Sequence, residues 1–163
     1  MPADATDRTL ERLNKLEGRG GEYAQDVAND MRAAMQQHAG VFRTQASLDE
    51  GVSKIAALRE RVQAIGLSDK SQIFNTARVE ALEVENLIEC AQATMVSAAA
   101  RRESRGAHTV DDYADTPQHP NGRNDEEWLK HSLWHSDSNS LTYKPVKLQP
   151  LTTESIPPKV RTF

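Results

Sequence analysis

Residues 98–108 read AAARRESRGAH, so that Arg101, Arg102, Glu103, Arg105 and His108 gather around Gly106 directly after an alanine-rich run. Cations in the last turn of a helix complement the negative end of its dipole, and a glycine beyond them takes the left-handed position that ends it. This capping role accounts for Arg101 and Arg102, with Gly106 as the terminator. It leaves Glu103, which opposes the same dipole, and Arg105 and His108 unexplained. A glutamate held between arginines points to a buried or interfacial ion network, because exposed ion pairs contribute only about 0–1 kcal/mol. Arg101, Arg102, Glu103, Arg105 and His108 therefore form a candidate inter-domain docking point. Capping alone and catalysis are the competing uses.

The remaining chemical inventory is sparse. His131 and His135 stand four apart in HSLWH, a spacing found among metal ligands, but no third ligand follows at a fixed offset and solvated histidines are the plainer reading. Asp111-Asp112 offers two carboxylates in what reads as a solvated turn. Cys90 is the only cysteine, which excludes an internal disulfide, and beside a core alanine it reads as a small packing residue. No glycine-rich phosphate loop, CxxC pair, HExxH helix or GxSxG elbow is present. No catalytic, cofactor-binding or metal-ligating residue is assigned in this chain.

The elements that must position the charged cluster follow from apolar periodicity. Residues 22–105 contain no proline, whereas six of the seven prolines, four of the five histidines and both tryptophans lie beyond residue 106. Three helices are expected before that boundary. The first covers about 22–38, with Tyr23, Val27, Met31, Ala34, Met35 and His38 on one face and Gly40 at its end. The second opens on a capping box at Ser47 and Glu50, carries Leu48, Val52, Ile55, Leu58, Val62 and Ile65, and stops at Gly66. The third follows Asn75-Thr76, either of which can cap, and runs Ala77, Ala81, Val84, Ile88, Ala91, Met95, Ala98 in four-three alternation to Ser104. The fold class is mainly α, an antiparallel three-helix bundle resembling a spectrin repeat, followed by a small irregular tail with a β-hairpin. The divisions are residues 1–20, a short helix with Leu10, Leu13 and Leu16 and a linker; 21–105, the bundle; and 106–163, the tail. In the tail Pro120-Asn121-Gly122 reads as a tight turn. Runs around 130–135 and 141–148 read as strands joined through SDSNS. A lone hairpin is marginal in water, so this tail must lie against the bundle or another domain.

The 163 residues carry a net charge of −4 from mixed acids and bases, which excludes the electrostatic footprint of a nucleic-acid or anionic-membrane partner. No apolar run approaches the ~18 residues of a spanning helix, so direct membrane insertion is not expected. Hydrophobic residues at 37% and aromatics at 5% are thin for a self-sufficient enzyme, which suggests dependence on a partner.

The run FNTARVEALEVENLIECAQATMVSAAARRESRGAHTVDDY, with upstream MRAAMQQHAGVFR, the segment Trp128–Leu133 and the ending IPPKVRTF, resembles the C-terminal region of flavoproteins of the succinate dehydrogenase/fumarate reductase family. The likeness covers essentially the whole chain. L-Aspartate oxidases share the bundle and much of the ESRG-x-H motif, and the closing Arg161-Thr162-Phe163 favours succinate dehydrogenase over fumarate reductase. The resemblance implies a parent enzyme that oxidises succinate to fumarate with FAD and passes electrons through an iron–sulfur subunit to quinone. It places that parent in the bacterial cytoplasm, peripheral to the cytoplasmic face of the inner membrane. The family's flavin-attaching and substrate-binding residues all lie upstream of the matched region, so none is carried onto a position here. The resemblance then implies an inactive, separately expressed C-terminal piece with Met1 as an added start and no cofactor of its own. Its expected partners are the flavin-binding part of the same subunit and the iron–sulfur subunit, and the isolated piece is a candidate homodimer. A free-standing helical adaptor and a small metalloenzyme using His131 and His135 are the alternatives from other classes.

Overall fold

A computed structural model describes residues 4–18, 20–113 and 115–159. Met1 and the closing Arg161-Thr162-Phe163 of the family signature lie outside the described residues. Four helices, α1 (Ala5–Gly18), α2 (Ala24–Ala39), α3 (Gln45–Val62) and α4 (Thr76–Ala100), precede a tail with a 3-10 turn at Pro120–Gly122, a one-turn helix α5 (Asp125–Trp128) and a hairpin of β1 (Lys130–His135) and β2 (Ser140–Pro145). This is the expected helical bundle with a hairpin-bearing tail.

The bundle is formed by α2, α3 and α4, each of which packs on the other two. Glu22 bridges to Ile65, which joins the start of α2 to the end of α3, and Gln45 Nε2 donates to the Ala99 carbonyl at 2.9 Å, which joins the start of α3 to the end of α4. The helices therefore run up, down and up. Their buried faces are the expected stripes: Val27, Met31, Ala34 and His38 from α2, Leu48, Ile55, Leu58 and Val62 from α3, and Ala81, Val84, Ile88, Ala91, Met95 and Ala98 from α4. Tyr23 departs from its stripe and is exposed, because it is the extended residue capping α2 and no longer follows helical rotation. Leu16 of α1 is fully buried in the same core, while Leu10 stays exposed. Two ion pairs, Arg12 to Glu85 and Arg78 to Glu17, each at 2.6 Å, lay α1 antiparallel along α4.

Helix ends show where local signals were overridden. α3 begins two residues before the expected capping box, with Thr44 Oγ1 accepting from the Ser47 amide at 3.2 Å and Glu50 paired instead with Lys54. Its last residue is Val62, and the chain turns before Gly66 so that Ile65 can enter the core. Asn75 caps α4 by accepting from the Arg78 amide at 2.8 Å. α4 ends at Ala100, short of Ser104, and Arg101 is its extended cap residue. Arg101 and Arg102 therefore do not occupy the last helical turn. Gly106 does not terminate the helix either: with φ of 59° it sits in a tight turn closed by the reciprocal amide bonds of Arg105 and His108.

In the hairpin Lys130 faces Pro145 and His135 faces Ser140. β2 stops at Pro145 rather than Leu148, since proline has no amide to donate to a ladder.

Gly51 of α3 marks the tightest point of the bundle. A Cβ built there would lie 2.6 Å from His38 Cβ and 2.7 Å from Met95 Sδ. Alanine ordinarily favours a helix by about 0.5–1 kcal/mol over glycine, whereas overpacking costs about 1–3 kcal/mol. Gly51→Ala is expected to lose about 1–2 kcal/mol net, read as a lower denaturation midpoint with an unchanged slope. An unaltered or raised midpoint would contradict the packing described.

Candidate functional site

The Glu103 carboxylate lies beyond the end of α4 with its side chain fully buried. Its Oε1 accepts from Arg101 Nη1 and Arg105 Nε, each at 2.7 Å, and its Oε2 accepts from Arg105 Nη2 and the Asn124 amide, each at 2.9 Å. Four donors match the four acceptor positions of an ionised carboxylate. Burial alone would push this carboxyl up. The Arg105 bonds, the Asn124 amide and the Arg101 bond together outweigh that and hold it below the usual glutamate range.

Each arginine extends the network in a different direction. Arg101 Nη1 also donates to the Trp128 carbonyl at 3.0 Å, and Nη2 donates to the Lys130 carbonyl at 2.8 Å and Ser132 Oγ at 3.2 Å. Its guanidinium stands 5.2 Å from the centre of the buried Trp128 ring. Arg101 thus fastens α5 and the start of β1 to the end of α4. Arg105 Nη2 donates to Asp125 Oδ1 at 2.7 Å, and the other Asp125 oxygen takes Arg123 at 2.9 Å. Bonding to Glu103, followed by that to Asp125, raises the Arg105 guanidinium above its ordinary value.

His108 ties the cluster to the loop between α2 and α3. Arg43 Nη1 lies 3.0 Å from His108 Nδ1, and the Arg101 carbonyl lies 3.0 Å from Nε2. An arginine only donates and a carbonyl only accepts, so the ring is neutral with its proton on Nε2. Burial, and behind it the Arg43 and Arg101 charges, keeps its pKa below the usual histidine value against the opposing Arg101 carbonyl bond. Arg43 also donates to the Gly40 and Ala39 carbonyls, closing the C-terminal end of α2.

Arg102 is exposed and makes no hydrogen bond or ion pair among the described residues. The other four members of the predicted cluster are brought together, and their contacts run inside this chain. Residues that local pattern did not mark complete the site: Arg43, Asn124, Asp125, Ser104 and Trp128. Ser104 Oγ accepts from the Val110 amide at 3.0 Å, and the Ser104 amide donates to the carbonyl of the buried Gly122 at 2.9 Å. A Cβ on Gly122 would overlap the Tyr113 carbonyl. The one available signal was the string Asn124-Asp125-Glu126-Glu127, which has the form of a helix start.

The other candidates take structural roles. Asp112 Oδ2 accepts from the Gln45 amide at 2.6 Å, closing the N-terminus of α3, so Asp111-Asp112 is not a facing carboxylate pair. His131 and His135 are exposed on one face of β1, about 13 Å apart at extended spacing, too far to share one ion. His135 Nε2 instead lies 2.8 Å from Thr142 Oγ1. Cys90 is exposed on the outer side of α4, so it is not the packing residue its neighbours suggested.

The pH consequences share one sign. The folded state favours ionised Glu103 and neutral His108, so the unfolded chain binds protons at higher pH in both cases and stability falls as pH falls. The His108 contribution is complete above about pH 6.5 and declines below it, and that of Glu103 is lost below about pH 4.5 as pH drops through its depressed folded value. The melting temperature is expected to fall in both windows, with the first fall reduced in His108→Gln. Glu103→Ala leaves two partly buried cations without their buried anion and is expected to cost about 3 kcal/mol in this chain, the low end for breaking a buried pair. A loss below about 1 kcal/mol, as for an exposed pair, would refute the buried network.

The family model described as "Fumarate reductase flavoprotein C-term" matches residues 28–163. The succinate dehydrogenase flavoprotein subunit of Rickettsia bellii is 42% identical over 98% of this chain and 27% of its own length. The fumarate reductase flavoprotein subunit of Haemophilus influenzae is 37% identical over 92% of this chain and 23% of its own length. Among solved structures, E. coli quinol fumarate reductase FrdA superposes with a TM-score of 0.78 at 30% identity, covering 90% of this chain and 25% of that one. The chain spans about a quarter of the length of the curated relatives it matches. With the hairpin, the Glu103 network and all but the first turn of the helical bundle inside the matched region, the chain belongs to the succinate dehydrogenase/fumarate reductase flavoprotein family, as its C-terminal domain.

Proposed function

We propose that this chain is the C-terminal domain of a succinate dehydrogenase flavoprotein and contributes position rather than chemistry. The enzyme it would serve oxidises succinate to fumarate at FAD and passes electrons through an iron–sulfur subunit to quinone, at the cytoplasmic face of a bacterial inner membrane. The observation that carries this reading is the 42% identity to succinate dehydrogenase flavoproteins over 98% of the chain, against 37% over 92% for a fumarate reductase flavoprotein. Among the described residues no helix is long and apolar enough to cross a membrane.

FAD itself does not fit the residues present. A dinucleotide cradle needs backbone amides free at a helix N-terminus behind a glycine-rich turn. Thr44, Asp112 and Asn75 already occupy those of α3 and α4. α2 follows Gly18, Gly20 and Gly21 and has no side-chain cap, but the turn of a dinucleotide fold leaves a parallel β-strand, and the one sheet among the described residues is the antiparallel hairpin of the tail. No step of flavin chemistry is therefore assigned to this chain.

Docking to the flavin-binding part is assigned to the cluster end of the bundle. Glu103 and its arginines set the geometry there, and the groups that remain facing outward are Arg102 with Val41 and Phe42, which are 76% and 86% exposed. Phe42 adjoins Arg43, whose bond to His108 couples this loop to the cluster.

The test joins this chain to the upstream part of the Rickettsia bellii flavoprotein. The joined protein is expected to retain FAD and oxidise succinate, and this chain alone to do neither. Phe42→Ser with Arg102→Glu should lower flavin retention in the joined protein while leaving the melting of this chain within about 0.5 kcal/mol of its original stability. A folded joined protein that holds no flavin would refute the reading.

A further inference from the structure

At the end of the bundle opposite the Glu103 network, the loop before α4 holds two large apolar side chains out of the protein. Ile73 is 85% exposed and Phe74 is 92% exposed. Phe74 has φ of 51°, the left-handed region that a bulky side chain rarely adopts.

The loop is closed by a set of polar bonds that impose this conformation. The buried Asn75 donates from Nδ2 to the Asp69 and Ser71 carbonyls at 2.8 and 2.9 Å, while its Oδ1 caps α4. Asp69 accepts from the Ser71 amide at 2.8 Å and from Ser71 Oγ at 3.0 Å. Backbone strain persists only where the surroundings over-determine it, and such residues gather at binding surfaces. Here the surrounding bonds gain nothing from the Ile73 and Phe74 side chains, which touch no part of the core. Isolated exposed apolar residues are commonplace, but two adjacent ones on a strained and braced turn form a preorganised plug.

We infer that the Ile73–Phe74 tip inserts into an apolar pocket on the remaining polypeptide of the flavoprotein, as a contact separate from the cluster end. This rests on the proposed function. The occupant follows from the chain's position within its relatives: the sequence matched here is 27% of the Rickettsia bellii subunit, so most of that subunit lies outside it. α1 lies along α4 with Glu17 beside Arg78 and Arg12 beside Glu85. At 1.5 Å per residue, the start of α1 is about 25 Å from the tip, a span that an attached domain several times larger covers readily. Attachment also raises the effective concentration of such a neighbour to about millimolar, beyond that of a second copy of this chain.

The test compares Phe74→Asn in this chain and in the joined flavoprotein. Asparagine tolerates the left-handed conformation, so the substitution removes the aromatic ring without disturbing the turn. This chain carrying it should melt no lower than the original. In the joined flavoprotein, limited proteolysis should release the C-terminal domain about tenfold faster than in the unsubstituted protein. Ile73→Ser should repeat both results. An unchanged release rate overturns the inference, because the tip then stays in solvent or meets another subunit. Equal destabilisation of both proteins overturns it too, because the tip would then support the bundle itself. A concentration-dependent dimer of this chain that Phe74→Asn abolishes, with the release rate unchanged, would assign the tip to a second copy instead. Flavin content of the unsubstituted joined protein reports separately on the proposed function.

Discussion

A single buried carboxylate holds the two halves of this protein together. Glu103 receives Arg101 from the end of α4, Arg105 from the turn that follows, and the Asn124 amide from the start of α5. Removing an anion from water is costly, and this one is retained because its four acceptor positions are matched. The turn after α4, the start of α5 and the near end of the hairpin depend on that arrangement. The tail has few buried apolar residues, with Val110 and Trp128 the large ones, so its position is set mainly by directed polar bonds. Directed bonds specify one geometry where apolar contact alone would allow several.

The hairpin shows how the constraint propagates. Arg101 bonds the Trp128 and Lys130 carbonyls and lies against the Trp128 ring, and Lys130 Nζ in turn sits 4.5 Å from Trp128 and 4.3 Å from Tyr143. Trp128 and Tyr143 meet edge to face at 5.8 Å. At the far end of the hairpin, Asn139 Oδ1 accepts from Trp134 Nε1 at 2.9 Å and from the buried Gln92 of α4 at 3.2 Å. A two-stranded sheet too small to stand alone is thus pinned to α4 at both ends.

The bundle obeys a different rule. Its helices approach closely because α4 presents Ala81, Ala91 and Ala98 inward and α3 presents Gly51, and most of its buried residues are apolar, with His38 and Gln92 the large polar exceptions. The chain therefore joins a core held by non-directional packing to a tail held by charge. The features left facing outward once these internal requirements are met include Arg102 and the Val41-Phe42 and Ile73-Phe74 pairs.

The helices, their order and their buried stripes were legible in the sequence because a 3.6-residue period records which face meets the core. The family was legible too, since the resemblance rests on contiguous strings such as RRESRGAH. The importance of Glu103 could be inferred from its position between arginines. Its surroundings could not, because Asn124 and Asp125 lie some twenty residues away and Arg43 sixty-five residues from His108. Local signals also misplaced the end of α4 and the role of Gly106. Helix-ending rules weigh neighbouring residues, whereas Arg101 leaves the helix to reach the Trp128 and Lys130 carbonyls. Tertiary structure alone decided which groups of this chain the charged string bonds. The bond partners of a charged side chain are chosen by whatever the fold brings within about 3 Å, which sequence spacing does not encode.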